Sequence, residues 1–148
     1  MPTGTRRGRQ ASAAGMLARR LALLALFEDE FRPGSADAAL ARLAAERGVP
    51  DEVHAHAARI IGGVADHRDD LDRRIATEAP LIPVHELGRV ERTILRSAIY
   101  EVLYSAATPS GETMRDAVSL ARIYAGDAAR RLVNGVLGSV SRSSGGGT

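Results

Sequence analysis

The apolar residues of this chain recur at helical spacing along almost its whole length. In the clearest segment they stand three or four residues apart, which places them on one face of a helix: Leu87, Val90, Ile94, Ala98 and Val102. No segment alternates apolar and polar residues over more than a few positions, as a half-buried strand would. The spacing therefore predicts an all-α fold, a compact bundle of six to seven amphipathic helices joined by short loops.

Capping residues and apolar patterning locate several of these helices. Ser35 is a favourable N-cap for a short helix over Ala36–Arg47, and Gly48 stops that helix. Asp127 is expected to cap the last helix in the same way as Ser35. The first helix, around Leu17–Phe31, is apolar on more than half of its circumference. That distribution predicts a central helix with neighbours on several sides.

A longer helix is predicted to begin after Pro50, since proline is favoured in a first helical turn. The helical pattern runs to about Thr77, and Pro80 then forces a boundary. The Gly62–Gly63 pair inside this segment allows either close helix packing or a kink.

The chain has the length of one domain, with a segment of different composition at each end. Its 148 residues are enough to bury a single core. Residues 1–15 mix Gly, Thr, Ser and Arg and are expected to form a mobile, arginine-rich tail. Residues 143–148 are predicted to form a Ser/Gly-rich tail. The folded helical domain is accordingly expected over residues 16–142.

The basic residues are concentrated at the N-terminus, although the net charge of the chain is only +2. All 20 basic residues are arginines, and five of them precede the first acidic residue: Arg6, Arg7, Arg9, Arg19 and Arg20. The remaining 15 arginines face 18 acids, a net charge of −3 for the rest of the chain. Guanidinium groups without neighbouring acids bind phosphates, which predicts contact with nucleic acid. The alternative is a solubilising or disordered tail.

Several classes of protein are excluded or disfavoured. The chain has no Cys, so it forms no disulfide, thiolate metal site or cysteine nucleophile. Its longest apolar run, Leu21–Phe27, falls far short of the ~20 residues that a membrane span requires. No small-residue cleavage site follows Met16–Phe27, so no signal peptide is predicted. A cytoplasmic protein without membrane contact is expected.

No pattern of residues predicts catalysis. P-loop, dinucleotide-binding, zincin and nucleophile-elbow motifs are all missing from the sequence. His54 and His56 are two residues apart, so on a helix they point to different sides and cannot share a metal. The acids between Asp66 and Asp72 alternate with arginines, which is typical of a solvated helix face with internal ion pairs. We therefore predict no catalytic residue, no metal site and no cofactor.

Two polar residues within apolar helical stretches predict specific contacts. Asn134 stands between Val133 and Gly135, where a buried amide would need hydrogen-bond partners. Arg96 is expected to extend its stem along apolar surface and to pair with an acid such as Glu101. Both residues are predicted to be structural.

Five groups of short motifs follow one another between Leu17 and Val140 without large gaps. They are Ala18–Phe27, Gly63-Val64 with Leu71-Asp72, Leu87–Glu101, Asp116–Arg122 and Val133–Leu137. In this order and spacing they resemble the motifs of the NusB family of bacterial transcription antitermination factors.

The resemblance implies a NusB-like all-α fold in two helical halves and no catalysis. Members of the family bind a short single-stranded boxA element of the ribosomal RNA leader together with NusE, a small-subunit ribosomal protein. They thereby help RNA polymerase to read through terminators. The expected partners are therefore boxA-type RNA, NusE and the RNA polymerase antitermination complex.

The charge pattern and the resemblance together give the candidate binding residues. The RNA-binding candidates are Arg6, Arg7, Arg9, Arg19, Arg20, Arg92 and Arg131. The partner-binding candidates are Glu91 and Phe27, which stands where the family usually has Tyr.

The chain departs from the family pattern near these candidates. Gly15–Leu17 replaces the usual arginine cluster, and Arg6, Arg7 and Arg9 stand earlier in the chain. The departures elsewhere are Ala128 for an acid, Leu132 for Phe and Arg115 for Asn. They leave open a NusB-fold interaction module or homodimer with weak or no RNA binding. A third alternative, the accessory domain of an RNA-modifying enzyme, is disfavoured by the length of the chain.

Overall fold

The computed structural model describes residues 6–105 and 109–145, and within them the chain forms seven α-helices, one 3-10 turn and no strand. The elements are α1 (Arg6–Phe31), α2 (Ala36–Arg47), α3 (Asp51–Asp66), α4 (Arg68–Glu78), the 3-10 turn (Val84–Glu86), α5 (Arg89–Tyr104), α6 (Ser110–Ala125) and α7 (Asp127–Gly145). The predicted all-α bundle is confirmed. The predicted bounds of α2 are also confirmed, and Gly48 ends this helix in the left-handed conformation at φ 59°.

The first helix lies at the centre of the bundle. It packs against α2, α3, α5 and α6. Ala18, Leu21, Ala22 and Ala25 are fully buried on its inner face. Because three of these four residues are alanines, the neighbouring helices can approach α1 closely. The predicted central position of the first helix is confirmed.

The helices α5, α6 and α7 pack against one another beside α1. Leu95 and Ile99 of α5 meet Val133 and Leu137 of α7 in one core, and none of the four is more than 1% exposed. Each buried aliphatic side chain of this kind contributes about 1.5–3 kcal/mol relative to leaving it exposed. The apolar series that predicted α5 therefore faces the core.

The prediction of a buried amide at Asn134 is wrong, because Asn134 is exposed on α7. Val133 and Leu137 are four residues apart and occupy the buried face of the helix. Asn134 follows Val133 by about 100° around the helix axis, which turns it toward solvent.

The first helix begins at Arg6, within the segment predicted to be a mobile tail. The segment is rich in alanine, the strongest helix former. Ser12 accepts a hydrogen bond from Arg115 of α6 at 3.3 Å, which ties this part of α1 to the bundle. A Cβ added to Gly15 would lie 2.7 Å from Oε1 of Glu112, so α6 approaches closely here. The rest of the predicted tail, residues 1–5, lies outside the described residues.

The helix predicted from Pro50 to Thr77 is divided at His67, whose backbone leaves the helical conformation at φ −115° and ψ 16°. The imidazole of His67 stacks on Tyr104 with 4.0 Å between ring centroids. Of the glycine pair, Gly63 serves close packing, because a Cβ on Gly63 would clash with the ring of Tyr100.

The last helix continues to Gly145, past residue 143 where a Ser/Gly-rich tail was predicted to begin. Ser143 donates a hydrogen bond to Glu78 at 3.1 Å, and Ser144 accepts one from Arg74 at 3.3 Å. These hydrogen bonds to α4 hold the last turn of α7, which lies beyond the apolar residues of that helix. Residues 146–148 lie outside the described residues.

The N-terminus of α2 is capped by Asp29 instead of the predicted Ser35 hydroxyl. Oδ1 of Asp29 accepts hydrogen bonds from the backbone N–H groups of Gly34, Ser35 and Ala36 at 2.8, 2.9 and 3.2 Å. The side chain of Ser35 makes no capping bond. A carboxylate at this position also interacts favourably with the helix dipole.

Candidate nucleic-acid interface

The first turn of α1 carries three exposed arginines, Arg6, Arg7 and Arg9. Successive residues of an α-helix are about 100° apart, which places Arg6, Arg9 and Arg20 within about 60° of one another on the outward face. Arg20 is half-buried, and its buried Nε has no hydrogen-bond partner. Arg6, Arg7 and Arg9 are named here the N-terminal basic surface, and Arg20 lies on the same side of α1 about 21 Å from Arg6. The first acidic residue in the sequence is Glu28, near the opposite end of α1.

Arg19 points away from this surface into a buried ion-pair network. Its Nε and Nη2 donate to the two carboxylate oxygens of Glu101 at 2.9 and 3.2 Å. Its Nη1 donates to Asp116 at 2.7 Å and to Glu112 at 3.4 Å. Only 7% of Arg19 is exposed. This geometry does not fit the predicted contact between Arg19 and RNA, because the guanidinium is already occupied in holding α1 to α5 and α6.

Burial and hydrogen bonding act in opposite directions on the carboxylates of this network. Burial favours the neutral form of Glu101, but hydrogen bonds from His56 and Arg19 outweigh it and lower the pKa of Glu101. For Asp116 burial dominates, and its pKa is raised despite the hydrogen bond from Arg19. Relative to a free carboxylate, the network therefore favours the ionised form of Glu101 and disfavours that of Asp116.

His56 joins the network from α3. Its Nε2 lies 3.0 Å from Oε2 of Glu101, and the imidazole is half-buried. Sequence reasoning excluded only a metal shared by His54 and His56, since nothing near His56 in the chain indicated Glu101 as its partner. Through His56 and Arg19, the single carboxylate of Glu101 connects α5 with both α3 and α1.

Arg92 lies at the other end of α1. Its Nη2 donates to Glu30 at 3.1 Å, and its Nη1 donates to the carbonyl oxygens of His85 and Leu87, each at 3.4 Å. At 1.5 Å per residue, Glu30 lies about 36 Å from Arg6 along the helix. The structure therefore does not bring the RNA-binding candidate Arg92 together with the N-terminal basic surface.

Arg96 also has a different partner from the one expected. Its Nε and Nη2 donate to the two carboxylate oxygens of Asp72 at 2.7 and 2.9 Å. A third bond reaches Glu30 at 3.4 Å. The predicted pair with Glu101 is wrong, because that carboxylate is engaged by Arg19 and His56.

Arg131 is an exposed residue of α7, with 65% of its side chain accessible. It forms an ion pair with Asp127 in the first turn of the same helix. Arg130 donates to the same carboxylate at 2.8 Å. Two arginines thus share one exposed acid, which leaves positive charge at the start of α7 for an anion.

The partner-binding candidate Phe27 is connected through Phe31 to Arg89, in the helical turn that also carries the candidate Glu91. The rings of Phe27 and Phe31 lie 5.2 Å apart, and Cζ of Arg89 lies 4.7 Å from the ring centroid of Phe31. Phe31 is 58% exposed. Glu91 belongs to the same first turn of α5 as Arg89, and its carboxylate folds back over Gly88. An exposed aromatic cluster beside charged residues is typical of a protein-binding surface.

Within residues 6–105 and 109–145, no three His, Asp or Glu side chains converge so that they could hold a metal ion. The acids around Asp70 and Asp72 pair with Arg73 and Arg96. No helix in the same residues is long and apolar enough to cross a membrane.

Comparison with known proteins agrees with this architecture. The model of the NusB family matches residues 16–142. The transcription antitermination protein NusB of Dehalococcoides mccartyi (strain CBDB1) is 34% identical over 126 residues, which is 85% of this chain and 88% of that protein. The NusB protein of Symbiobacterium thermophilum is 36% identical and covers 84% of this chain and 87% of its own.

Solved structures share the fold. NusB from T. maritima superposes with a TM-score of 0.80 at 25% identity, covering 86% of this chain and 90% of that one. A crystal structure of the antitermination factors NusB and NusE in complex with dsRNA gives a TM-score of 0.80 at 23% identity, covering 88% and 98%. Since the family model spans residues 16–142 and curated relatives exceed 30% identity over more than four fifths of its length, the chain belongs to the NusB family.

Proposed function

We propose that this chain is a non-enzymatic transcription antitermination factor that binds boxA-like single-stranded leader RNA together with the ribosomal protein NusE. Its curated relatives are transcription antitermination proteins, and a structural neighbour is a NusB–NusE complex with RNA. The factor works with the RNA polymerase antitermination complex during ribosomal RNA transcription. Since this activity acts on nascent RNA, the proposed location is the cytoplasm.

The observation that carries the proposal is the N-terminal basic surface. Arg6, Arg7 and Arg9 are exposed on one helical turn, and no acid lies before Glu28 in the sequence. The arginines of such a surface displace the counterions condensed on RNA phosphates, so they bind the strand without needing a cofactor or a catalytic group. Phosphate contacts position the strand, and base contacts made elsewhere supply sequence preference.

RNA and protein partner are assigned to opposite ends of α1. The N-terminal basic surface takes the RNA, and the cluster around Phe27, with Glu91 on α5, takes NusE. Phe27 follows Arg6 by 21 positions along α1, which corresponds to about 32 Å. Arg92, at the Phe27 end, is assigned to the edge of the partner surface, and Arg131 to a separate basic site on α7.

The first prediction concerns the variant Arg6→Ala/Arg7→Ala/Arg9→Ala. We expect it to bind a boxA-like RNA more weakly than the unmodified protein. The slope of log K against log salt should flatten by about 2.1, since each phosphate contact on a single strand contributes about 0.7. Fluorescence anisotropy at several salt concentrations measures both quantities.

The matched control is Arg47→Ala/Arg68→Ala/Arg73→Ala, which removes the same charge from exposed positions on α2 and α4. Its slope should stay within experimental error of the unmodified protein. An equal loss in both triple variants would mean that only net charge matters and would contradict the assigned surface. Absence of RNA binding by the unmodified protein would favour the alternative, a NusB-fold interaction module or homodimer.

A further inference from the structure

We infer that Arg115 of α6 binds RNA phosphate beside the N-terminal basic surface, and that Arg115 and Arg122 form a basic track leading from that surface to Arg131. The inference rests on the proposed function, because it extends the same RNA-binding surface onto α6 and α7. The track gives the bound RNA strand a path from α1 over α6 to α7, which the N-terminal arginines by themselves do not define.

A contact with α1 shows that Arg115 lies beside the N-terminal basic surface. Its Nη2 donates to Oγ of Ser12 at 3.3 Å, and 62% of its side chain is exposed. Arg9 and Ser12 are three residues apart and are therefore neighbours on the surface of α1. Arg6 precedes Arg9 by another three residues and extends the same row. The guanidinium of Arg115 thus stands next to the row that begins with Arg6 and Arg9.

The charge of Arg115 is only weakly compensated. Its Nε is 3.9 Å from Asp116, while the same carboxylate accepts a hydrogen bond from Arg19 at 2.7 Å. The other acid nearby, Glu112, is also turned toward Arg19. Both acids in the first half of α6 are therefore used by the buried network. The resemblance leads one to expect Asn at position 115, so this cation is a feature of this chain.

Arg122 continues the row along α6. It follows Arg115 by seven residues, two helical turns, so the two lie on the same side of α6 about 10.5 Å apart. Arg122 is exposed, and no acid occurs between Asp116 and Asp127. A hydrogen bond from Arg130 and the charges of Arg130, Arg131 and Arg122 lower the pKa of Asp127. Arg122 is therefore within electrostatic reach of the carboxylate that pairs with Arg131.

The basic track replaces a cation that burial makes unavailable to RNA. Of the five N-terminal arginines, Arg19 is unavailable to a ligand because it is enclosed among carboxylates. Arg115 supplies a replacement within contact distance of the same helix. A strand bound to Arg6 and Arg9 can then leave α1 over α6 toward Arg131, where the start of α7 offers another cation.

The test compares salt-dependent binding of a boxA-like RNA by Arg115→Ala, Arg115→Ala/Arg122→Ala and the unmodified protein. We expect weaker binding and a slope flattened by about 0.7 for the single variant and about 1.4 for the double. Arg115→Lys keeps the charge and should restore the slope. Ser12→Ala removes only the contact with α1 and should leave the slope unchanged, and Arg73→Ala controls for the loss of one exposed arginine.

The outcomes separate this inference from the proposed function. If Arg6→Ala/Arg7→Ala/Arg9→Ala flattens the slope and Arg115→Ala does not, the inference is overturned while the proposed function stands. If Ser12→Ala flattens the slope as much as Arg115→Ala, Arg115 acts only by holding α1, and the inference is again overturned. If the unmodified protein binds no RNA, both fail together.

Discussion

Arg19 is the residue on which the position of the first helix depends most. One guanidinium satisfies Glu101 with two hydrogen bonds and Asp116 with a third, and both carboxylates are buried. Removal of the cation would leave two buried acids without their principal partner. Removing one partner from a buried ion pair lowers the free energy of unfolding by more than the intact pair contributes, because a buried charge is left without compensation.

The second prediction compares Arg19→Met with Arg20→Met. We expect Arg19→Met to lower the free energy of unfolding by about 3–5 kcal/mol, as for other buried ion pairs from which one partner is removed. Arg20 makes no ion pair in the described structure, so Arg20→Met should change stability by less than about 1 kcal/mol. Urea denaturation followed by circular dichroism measures both. Equal stability of the two variants would contradict the structural role given to Arg19.

Sequence reasoning could not separate these two arginines. They are adjacent, they are of the same type, and both match the family pattern by position. What distinguishes them is the rotation of about 100° between neighbouring helix positions together with acids far away in the chain. Glu101 is 82 residues from Arg19 and Asp116 is 97, so the buried network depends on contacts that no local pattern contains.

Helix α3 shows how two adjacent glycines are used differently within one element. Gly63 faces α5, where the ring of Tyr100 occupies the space of a Cβ. Gly62 is exposed, and a Cβ on it would meet nothing within 4 Å. The close approach of α3 to α5 therefore requires glycine at one position and leaves the other unconstrained.

The third prediction is that alanine substitutions at the two neighbouring glycines change the stability of the protein in opposite directions. Gly63→Ala should destabilise the protein by about 1–3 kcal/mol, because Tyr100 must move out of an overpacked contact. Gly62→Ala should stabilise it by about 0.5–1 kcal/mol, since alanine is the better helix former at an exposed position. Thermal and urea unfolding of the two variants measure the difference. Destabilisation by Gly62→Ala as large as that by Gly63→Ala would show that the pair acts as a hinge.

Helix existence was easier to predict than helix ends. Apolar spacing and capping residues located α1, α2, α5 and α7, and they gave α3 and α4 as one undivided segment. The division between α3 and α4 depends on His67, which stacks against Tyr104 of α5. The start of α1 also depends on a distant partner, Arg115. The cap of α2 is local, because Asp29 precedes the N–H groups that it caps by five to seven residues. Local patterns report propensity, whereas the division at His67 and the start of α1 are set by tertiary contacts.

The whole molecule is organised around α1, which carries a different surface at each end. The N-terminal basic surface lies at one end and the Phe27–Phe31 cluster at the other, about 32 Å away. The buried network of Arg19 lies between them and fixes α1 to the bundle. A ligand of each kind can therefore bind one rigid helix without competing for the same residues.

At this scale the sequence predicted the fold class and the charge asymmetry, while the arrangement of the candidate residues required the structure. Arg92 matched the family by position, but the fold places it with Glu30 at the far end of α1. Arg115 was recognisable only as a departure from the family pattern until its contact with Ser12 was seen. Charge along a chain shows how many cations are available but not which of them share a surface.

Recognition of boxA-like RNA jointly with NusE is tested by measuring the affinity of this chain for a boxA-like and a scrambled RNA, each with and without NusE. We expect tighter binding of the boxA-like RNA, with a preference that increases when NusE is present. Charge alone gives the same affinity for both sequences. Equal affinity for the two RNAs in the presence of NusE would rule out this joint recognition.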